Sequence, residues 1–308
     1  MTTQVNKENQ TGLILVIGAT GNQGGNVARK LLANGHQIRI LVRNPNAPAA
    51  QLLAKAGAEV VQGELGNKAA VASSMQGVSG VFSVTVPDLT GGDLESLYAE
   101  ELVQAALESG VNQFVHTSVS SCDKFPRWKG HELLIKFRDE KWAAEESVRK
   151  AGFAYWTILR PTWIMENCAE PLAKFMLPQL RIGKITTALK ANTRIDMIAG
   201  EDIGTFGCAA FENPEFFNRK HIELAGDSRS MTEVAAILSR AKGKKVVSVS
   251  LTEEEAVAAG LHPASVSSQT WMNEIGYQVD IEALKSYGLP LTTFEDWALK
   301  NQDSIIID

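Results

Sequence analysis

Apolar residues in the first half of the chain follow two alternating rhythms. Leu13 to Ile17 is a short apolar run, partly β-branched, that stops at Gly18. Such a run reads as a strand buried on both faces. From Asn22 to Ala33 the apolar positions Val27, Leu31 and Leu32 recur at helical spacing, and Asn34-Gly35 supplies the stop. Ile38 to Val42 predicts a second strand, broken by Arg43-Asn44-Pro45. Helices are then expected over Ala50–Lys55, Lys68–Met75, Leu94–Glu108 and Glu132–Lys150. Between them fall extended segments at Glu59–Val61, Gly80–Val86 (ended by Pro87), Phe114–Thr117 and Tyr155–Leu159. Strands and helices alternating over short connections predict βαβ units and a parallel sheet, an α/β fold.

After Pro161 the rhythm loosens. Met165–Leu180, Met231–Ala241, Thr252–Ala259 and Leu291–Lys300 read as helical, with Ile222–Ala225 and Val246–Val249 extended. This predicts a smaller C-terminal α/β lobe. A chain of 308 residues has room for both lobes and buries a sizeable core unaided. With 30 basic and 35 acidic side chains, the net charge of −5 argues against a nucleic-acid binder. Lys242, Lys244 and Lys245 read as a solvated helix end or turn. Cys122, Cys168 and Cys208 form no CxxC and no zinc spacing, so reduced thiols and no metal site are expected. A polar N-terminus and the lack of a long apolar run predict a cytoplasmic protein with no membrane contact.

The sharpest local signal is Gly18-Ala19-Thr20-Gly21-Asn22-Gln23-Gly24, set between the first strand and the first helix. In that setting glycines carry a dinucleotide-binding meaning. Gly18 permits the tight turn, Gly21 lets the backbone approach a pyrophosphate, and Gly24 lets helix pack on strand. The helix N-terminus then offers N–H groups to phosphate. An NAD site would place an acid at the end of the second strand. Leu41-Val42-Arg43-Asn44-Pro45 has none, and the planar fork of Arg43 suits a 2′-phosphate. NADP(H) is therefore favoured over NAD, although Arg43 as a solvated strand end is the plainer alternative. Glu64 stands either near the adenine or in an exposed loop. Thr85 and Val86 end the fourth strand, on the nicotinamide side of such sites.

A glycine loop of this form invites comparison with short-chain dehydrogenases, which use a Tyr four residues before a Lys. Four positions after Tyr98, Tyr155, Tyr277 and Tyr287 stand Leu102, Leu159, Ile281 and Leu291. Lys141 keeps the place of the Lys, but four residues before it is Phe137, which has no proton to give. Ser118 stands where those enzymes keep a serine, to orient a carbonyl or to cap a turn. His131 is a conceivable acid but reads better as structural. Cys168 reads as a small buried thiol.

The stretch from Gly18 to Leu32, the Val42-Arg43-Asn44-Pro45 turn and the run Gly57 to Glu64 resemble the NmrA-like family. So do Lys141 on its helix and Leu159-Arg160-Pro161 followed by Met165-Glu166-Asn167. The likeness covers most of the chain, densest before Asn167. It implies a Rossmann-type doubly wound parallel sheet with a smaller C-terminal α/β lobe. The expected division is a tail at 1–11, a dinucleotide-binding domain at 12–162, and a lobe at 163–308 with segments returning to the first. It also implies NADP(H) contacts at Gly18, Thr20, Gly21, Asn22, Gln23, Gly24, Arg43, Lys141 and Asn167. Lys141 would hold the nicotinamide ribose and Asn167 would lie beside the nicotinamide. Glu64 departs from the Asp often found there. Some members of the family are redox sensors that act through protein partners; others reduce quinones, dyes or other small acceptors. Two readings therefore stand, with an NADPH-dependent reductase ranked first because a quinone can draw its proton from water. The other is a sensor of the NADPH/NADP⁺ balance that regulates a protein partner, with a dimer as one possible assembly.

Overall fold

The computed structural model describes residues 12–85 and 92–308. The expected tail at 1–11, Val86 and Pro87 lie outside the described residues. Six strands carry the expected rhythm: β1 (Leu13–Val16), β2 (Ile38–Val42), β3 (Glu59–Gln62), β4 (Val78–Val84), β5 (Gln113–Thr117) and β6 (Tyr155–Pro161). The helices between them are α1 (Asn22–Ala33), α2 (Pro48–Lys55), α3 (Lys68–Ser74), α4 (Leu94–Glu108) and α5 (Glu132–Lys150).

With a later strand, β10 (Lys220–Leu224), they form a seven-stranded sheet in the order β10-β6-β5-β4-β1-β2-β3. The pairs from β6 through to β3 are all parallel. Strand order runs one way from β1 to β3 and reverses at β4, next to β1. That reversal opens a crevice at the carboxyl ends of β1 and β4, where doubly wound sheets take their ligands. Ile14, Leu15 and Val16 are wholly buried, as an unalternated apolar strand requires. Leu15, Val81, Leu102, Phe114 and Ile158 belong to one apolar core, in which Phe114 stacks on Phe153 at 5.0 Å.

The chain divides into two units. The first comprises Met1–Ser118, Glu140–Leu159 and Ile203–Ile222; the second comprises Val119–Asp139, Arg160–Asp202 and Glu223–Asp308. The segment that rejoins the first unit contains most of α7 (Gly200–Glu212) and the single turn α8 (Pro214–Phe217). No periodicity foretold α7, because three of its residues are glycine. Their purpose is close approach. A Cβ on Gly204 would sit 2.8 Å from the backbone of Asn26, and one on Gly207 2.8 Å from Val27, both on α1.

In the second unit β7 (Trp163–Ile164), β9 (Arg194–Ile198) and β11 (Asp227–Ser230) form a small sheet with β9 in the middle. β8 (Lys184–Thr187) pairs in parallel with β12 (Val247–Ser250). Its helices are α6 (Ala173–Met176), α9 (Met231–Lys242), α10 (Glu253–Ala258), α11 (Pro263–Glu274), α12 (Ile281–Leu284) and α13 (Phe294–Lys300). Capping boxes at Ser230/Glu233 and Thr252/Glu255 start α9 and α10. The helix expected over Met165–Leu180 is a correction. The chain there forms a 3-10 turn at Met165–Cys168, the single turn α6, and another 3-10 turn at Leu180–Ile182. Pro171 lacks an N–H and bars the residue before it from helical backbone angles. The apolar C-terminus docks on this unit: Ile305 and Ile307 are buried in its core with Trp128, Trp271 and Trp297. The basic cluster is not simply solvated, since Lys242 donates to the Gln302 carbonyl and Lys244 to that of Ile307, each at 2.6 Å.

A side chain at Gly204 has no room to form. Gly204→Val is expected to destabilise the chain by about 1–3 kcal/mol, read as a lower midpoint of urea unfolding. An unchanged midpoint would show that α7 is free to move away from α1.

Candidate functional site

The loop between β1 and α1 is built by backbone. Gly18 adopts a left-handed conformation (φ +69°), and the Gly21 N–H closes the turn on the Gly18 carbonyl at 2.9 Å. A Cβ on Gly24 would lie 2.5 Å from the Gly18 oxygen and 2.6 Å from that of Ile17. Only glycine lets the first turn of α1 settle against the end of β1. Gly21, the N-cap residue just before α1, differs. A Cβ there would meet only the Gly18 oxygen, at 3.3 Å, and otherwise open space. Helix α1 has no side-chain cap and no acid in its first turn. Its N-terminus is therefore a positive dipole end with free donors. Beside it the Asn22 Nδ2 is buried without a hydrogen-bond partner among the described residues, while the Asn22 Oδ1 accepts from Asn26. An orphaned amide donor next to an uncapped helix start fits a pyrophosphate.

The remaining sequence candidates of the first unit follow the ends of parallel strands, and so share one edge of the sheet. Thr20 is exposed in the loop. Gln23 is held by the Thr117 hydroxyl, which donates to its Oε1 at 2.5 Å. Arg43, just past β2, is exposed and makes no ion pair among the described residues. Glu64, past β3, is likewise exposed, and among the described residues only its carbonyl is engaged, by the Asn67 N–H. Thr85 is buried at the end of β4. Ser118 follows β5; its N–H donates to the Leu159 carbonyl at 2.8 Å, and its buried Oγ has no partner among the described residues. Phe137, by contrast, belongs to the second unit; it is half-buried on α5, one helical turn before Lys141.

Lys141 is not a free ammonium. It is buried and donates to Glu95 Oε1 at 2.5 Å and to the Thr85 carbonyl at 3.3 Å. The Thr85 hydroxyl donates to the same Glu95 oxygen at 3.1 Å. Glu95 is wholly buried, and burial pushes its carboxyl above the usual range, with Lys141 and Thr85 pulling the other way. Glu95 was not a sequence candidate, yet its signal is legible. It shares a helical face with Ala99, Leu102, Val103 and Ala106, all buried. His116, on β5, is a second unforeseen group. Its Nδ1 pairs with Ser83 Oγ at 3.2 Å, its Nε2 has no partner among the described residues, and burial, then Lys141, hold its pKa down at about 3.

Asn167 lies in the second unit, in the 3-10 turn at Met165–Cys168. Its neighbour Glu166 accepts from the Gly200 N–H at 3.0 Å and from the Trp297 indole at 3.2 Å. His131 pairs with Glu274 at 3.1 Å and lines a cavity of about 340 Å³ within that unit. Trp163 packs against the unit's core. Burial pushes the Cys168 thiol up, in keeping with an inert core residue. Arg160 of the Leu159-Arg160-Pro161 run is buried and pairs with Asp123 at 3.0 Å. Among the described residues no helix is long and apolar enough to cross a membrane.

The model of the NmrA-like family matches residues 10–298. An NmrA-like family domain-containing oxidoreductase, FrzB of Cladobotryum sp, is 31% identical over 254 residues, 76% of this chain and 75% of its own. Quinone oxidoreductase 2 of Escherichia coli (strain K12) is 29% identical over 301 residues, 92% of this chain and 96% of its own. The crystal structure of that NADPH-dependent enzyme with NADPH superposes with a TM-score of 0.75 at 27% identity, covering 92% of this chain and 98% of the other. The negative transcriptional regulator NmrA, solved with NADP, shares the fold at a TM-score of 0.74 and 19% identity, covering 94% and 95%.

Two outcomes follow from the buried charges. Glu95→Gln strands Lys141 without that counter-charge and is expected to cost about 3–5 kcal/mol, whereas adding Lys141→Met recovers most of it. Urea unfolding of the single and double variants measures this; equal losses would mean the pair is not coupled. His116 stays neutral in the fold down to about 3, whereas the unfolded chain protonates it near 6.5. The unfolded state then binds more protons, so stability falls on acidification, by about 1 kcal/mol per pH unit between roughly 6 and 4. His116→Gln should flatten that slope in pH-dependent unfolding.

Proposed function

The chain belongs to the NmrA-like family, and we propose that it is an NADPH-dependent reductase of a small, electron-poor acceptor such as a quinone or conjugated carbonyl. One observation carries the reading. The uncapped start of α1, with the orphaned Asn22 amide and open Gly21 beside it, stands at the strand-order reversal of a doubly wound sheet. Gly18, Thr20, Gly21, Asn22, Gln23 and Gly24 would hold the pyrophosphate. The exposed, unpaired Arg43 at the end of β2 would hold the 2′-phosphate, with Glu64 and Thr85 along the same edge. Glu95 would hold the Lys141 ammonium in place to hydrogen-bond a ribose.

The chemistry asks little of the protein beyond placement. A bound nicotinamide would supply a hydride, and a quinone would take the one remaining proton from water to become the hydroquinone. Phe137 in the place of a phenol is compatible with such an acceptor. The unpartnered Ser118 Oγ is a ready donor to an acceptor oxygen. The likeness to quinone oxidoreductase 2 along nearly both full lengths supports this reading. A second reading, a redox sensor acting through protein partners, draws on one feature: Phe137 leaves a preserved cofactor loop without its usual acid.

Loss of NADPH absorbance against a panel of quinones, enones, aldehydes and cationic dyes, with NADH in parallel, tests both. The expected result is quinone turnover that prefers NADPH, with the preference lowered about tenfold or more by Arg43→Ala. Tight NADPH binding with no turnover across the panel would overturn the reductase and leave the sensor.

A further inference from the structure

His36, Cys208 and Glu212 come together within the first unit, each turning one metal-ligating atom toward the others, all within 4.8 Å of one another. Cys208 and Glu212 are four residues apart on the last turns of α7, and so share a face. His36 lies in the short connection between α1 and β2. Its Nε2 is 3.1 Å from Glu212 Oε1. Asn34, the C-terminal cap of α1, donates to Glu212 Oε1 at 2.7 Å and approaches Cys208 Sγ at 3.6 Å.

We propose that His36, Cys208 and Glu212 form a site for a divalent transition ion of the zinc type, with a water as fourth ligand. The donor set fits that class. Thiolate, imidazole and carboxylate together suit zinc, whereas magnesium and calcium want oxygen alone. At the usual bond lengths, donor atoms in a tetrahedral zinc site lie about 3.3–3.6 Å apart. The observed cluster therefore needs to contract by up to about 1.2 Å. Asn34 supplies the outer hydrogen bonds that orient such ligands. The C-termini of α1 and α7 meet here, and their dipoles favour a cation. Lys30 is a nearby cation that opposes it; burial, then Glu212, pushes the Cys208 thiol up to about 12, with Lys30 pulling the other way, so the ion itself must displace the S–H proton. Cys208 is buried and the Glu212 side chain is 33% exposed, so the ion has a route in from solvent. On binding, the metal–sulfur bond forms as the S–H proton leaves to solvent, and the His36–Glu212 hydrogen bond is exchanged for two metal bonds. His36 precedes β2, at the amino edge of the parallel sheet, whereas the glycine loop follows β1 at the carboxyl edge. The site is thus a clasp between α7 and the α1–β2 connection, separate from the proposed cofactor chemistry.

The test uses the full chain, stripped with chelator and titrated with Zn²⁺ or Co²⁺ alone. One zinc should bind per chain, and cobalt should give a thiolate charge-transfer band together with the intense visible bands of a tetrahedral ion. Cys208→Ser should abolish the charge-transfer band. Asn34→Ala should weaken binding about tenfold, and Glu212→Gln by at least as much, with far-ultraviolet circular dichroism unchanged. If Cys208→Ser fails to fold, the wild-type cobalt spectrum and the more exposed Glu212→Gln decide the matter. No stoichiometric uptake, a cobalt spectrum without a thiolate band, or zinc affinity equal in wild type and Glu212→Gln would each overturn the proposal.

Discussion

The close approach of backbone to backbone at the start of α1 sets the geometry on which the rest of the first unit depends. Gly24 has no Cβ, so the helix begins against the carbonyls of Ile17 and Gly18. That contact aims the helix N-terminus along the crevice beside β1 and leaves its donors unclaimed by any side chain. The same helix is pressed on its flank by α7, where Gly204 and Gly207 remove the side chains that would hold it off. Helix α1 is thus placed by absent atoms at both contacts, a steric constraint that tolerates little adjustment in a close-packed interior.

A second constraint is electrostatic. Glu95, Lys141 and His116 are charged or polar groups near the end of β4 and β5, all withdrawn from water. In that setting the pair needs both members, and a half-removed pair costs more than a neutral replacement. His116 meets the same pressure by staying neutral. The result is an ammonium held in one position by Glu95 and the Thr85 carbonyl, a preorganised donor rather than a mobile one. Preorganisation of this kind is what a site contributes when the hard chemistry belongs to a cofactor.

The α/β alternation through Pro161, the parallel sheet, and the glycine loop with its strand–turn–helix setting were legible in the residues. Periodicity and glycine placement report local geometry directly, so β1 to β6 and α1 to α5 fall close to their expected places. Arg43, Glu64, Thr85 and Ser118 are candidates for the same reason: each follows a strand, and parallel strands bring all their carboxyl ends to one edge. Where the pattern failed, a non-local reason is visible. Helix α7 is poor in intrinsic propensity and owes its existence to packing on α1. The expected helix across Met165–Leu180 is interrupted by Pro171, whose local veto outweighs the apolar spacing.

By itself, then, the sequence determined the order of elements as far as β6, the phosphate-type loop, the absence of a phenol before Lys141, and the lack of an acid beside Arg43. Each is a property of neighbours in the chain. Only the tertiary structure decided who partners whom: Glu95 with Lys141, Ser83 with His116, and Asn34 and His36 with Cys208 and Glu212. These residues are separated by tens to well over a hundred positions. Their meeting depends on strand order and helix packing, which no local spacing encodes.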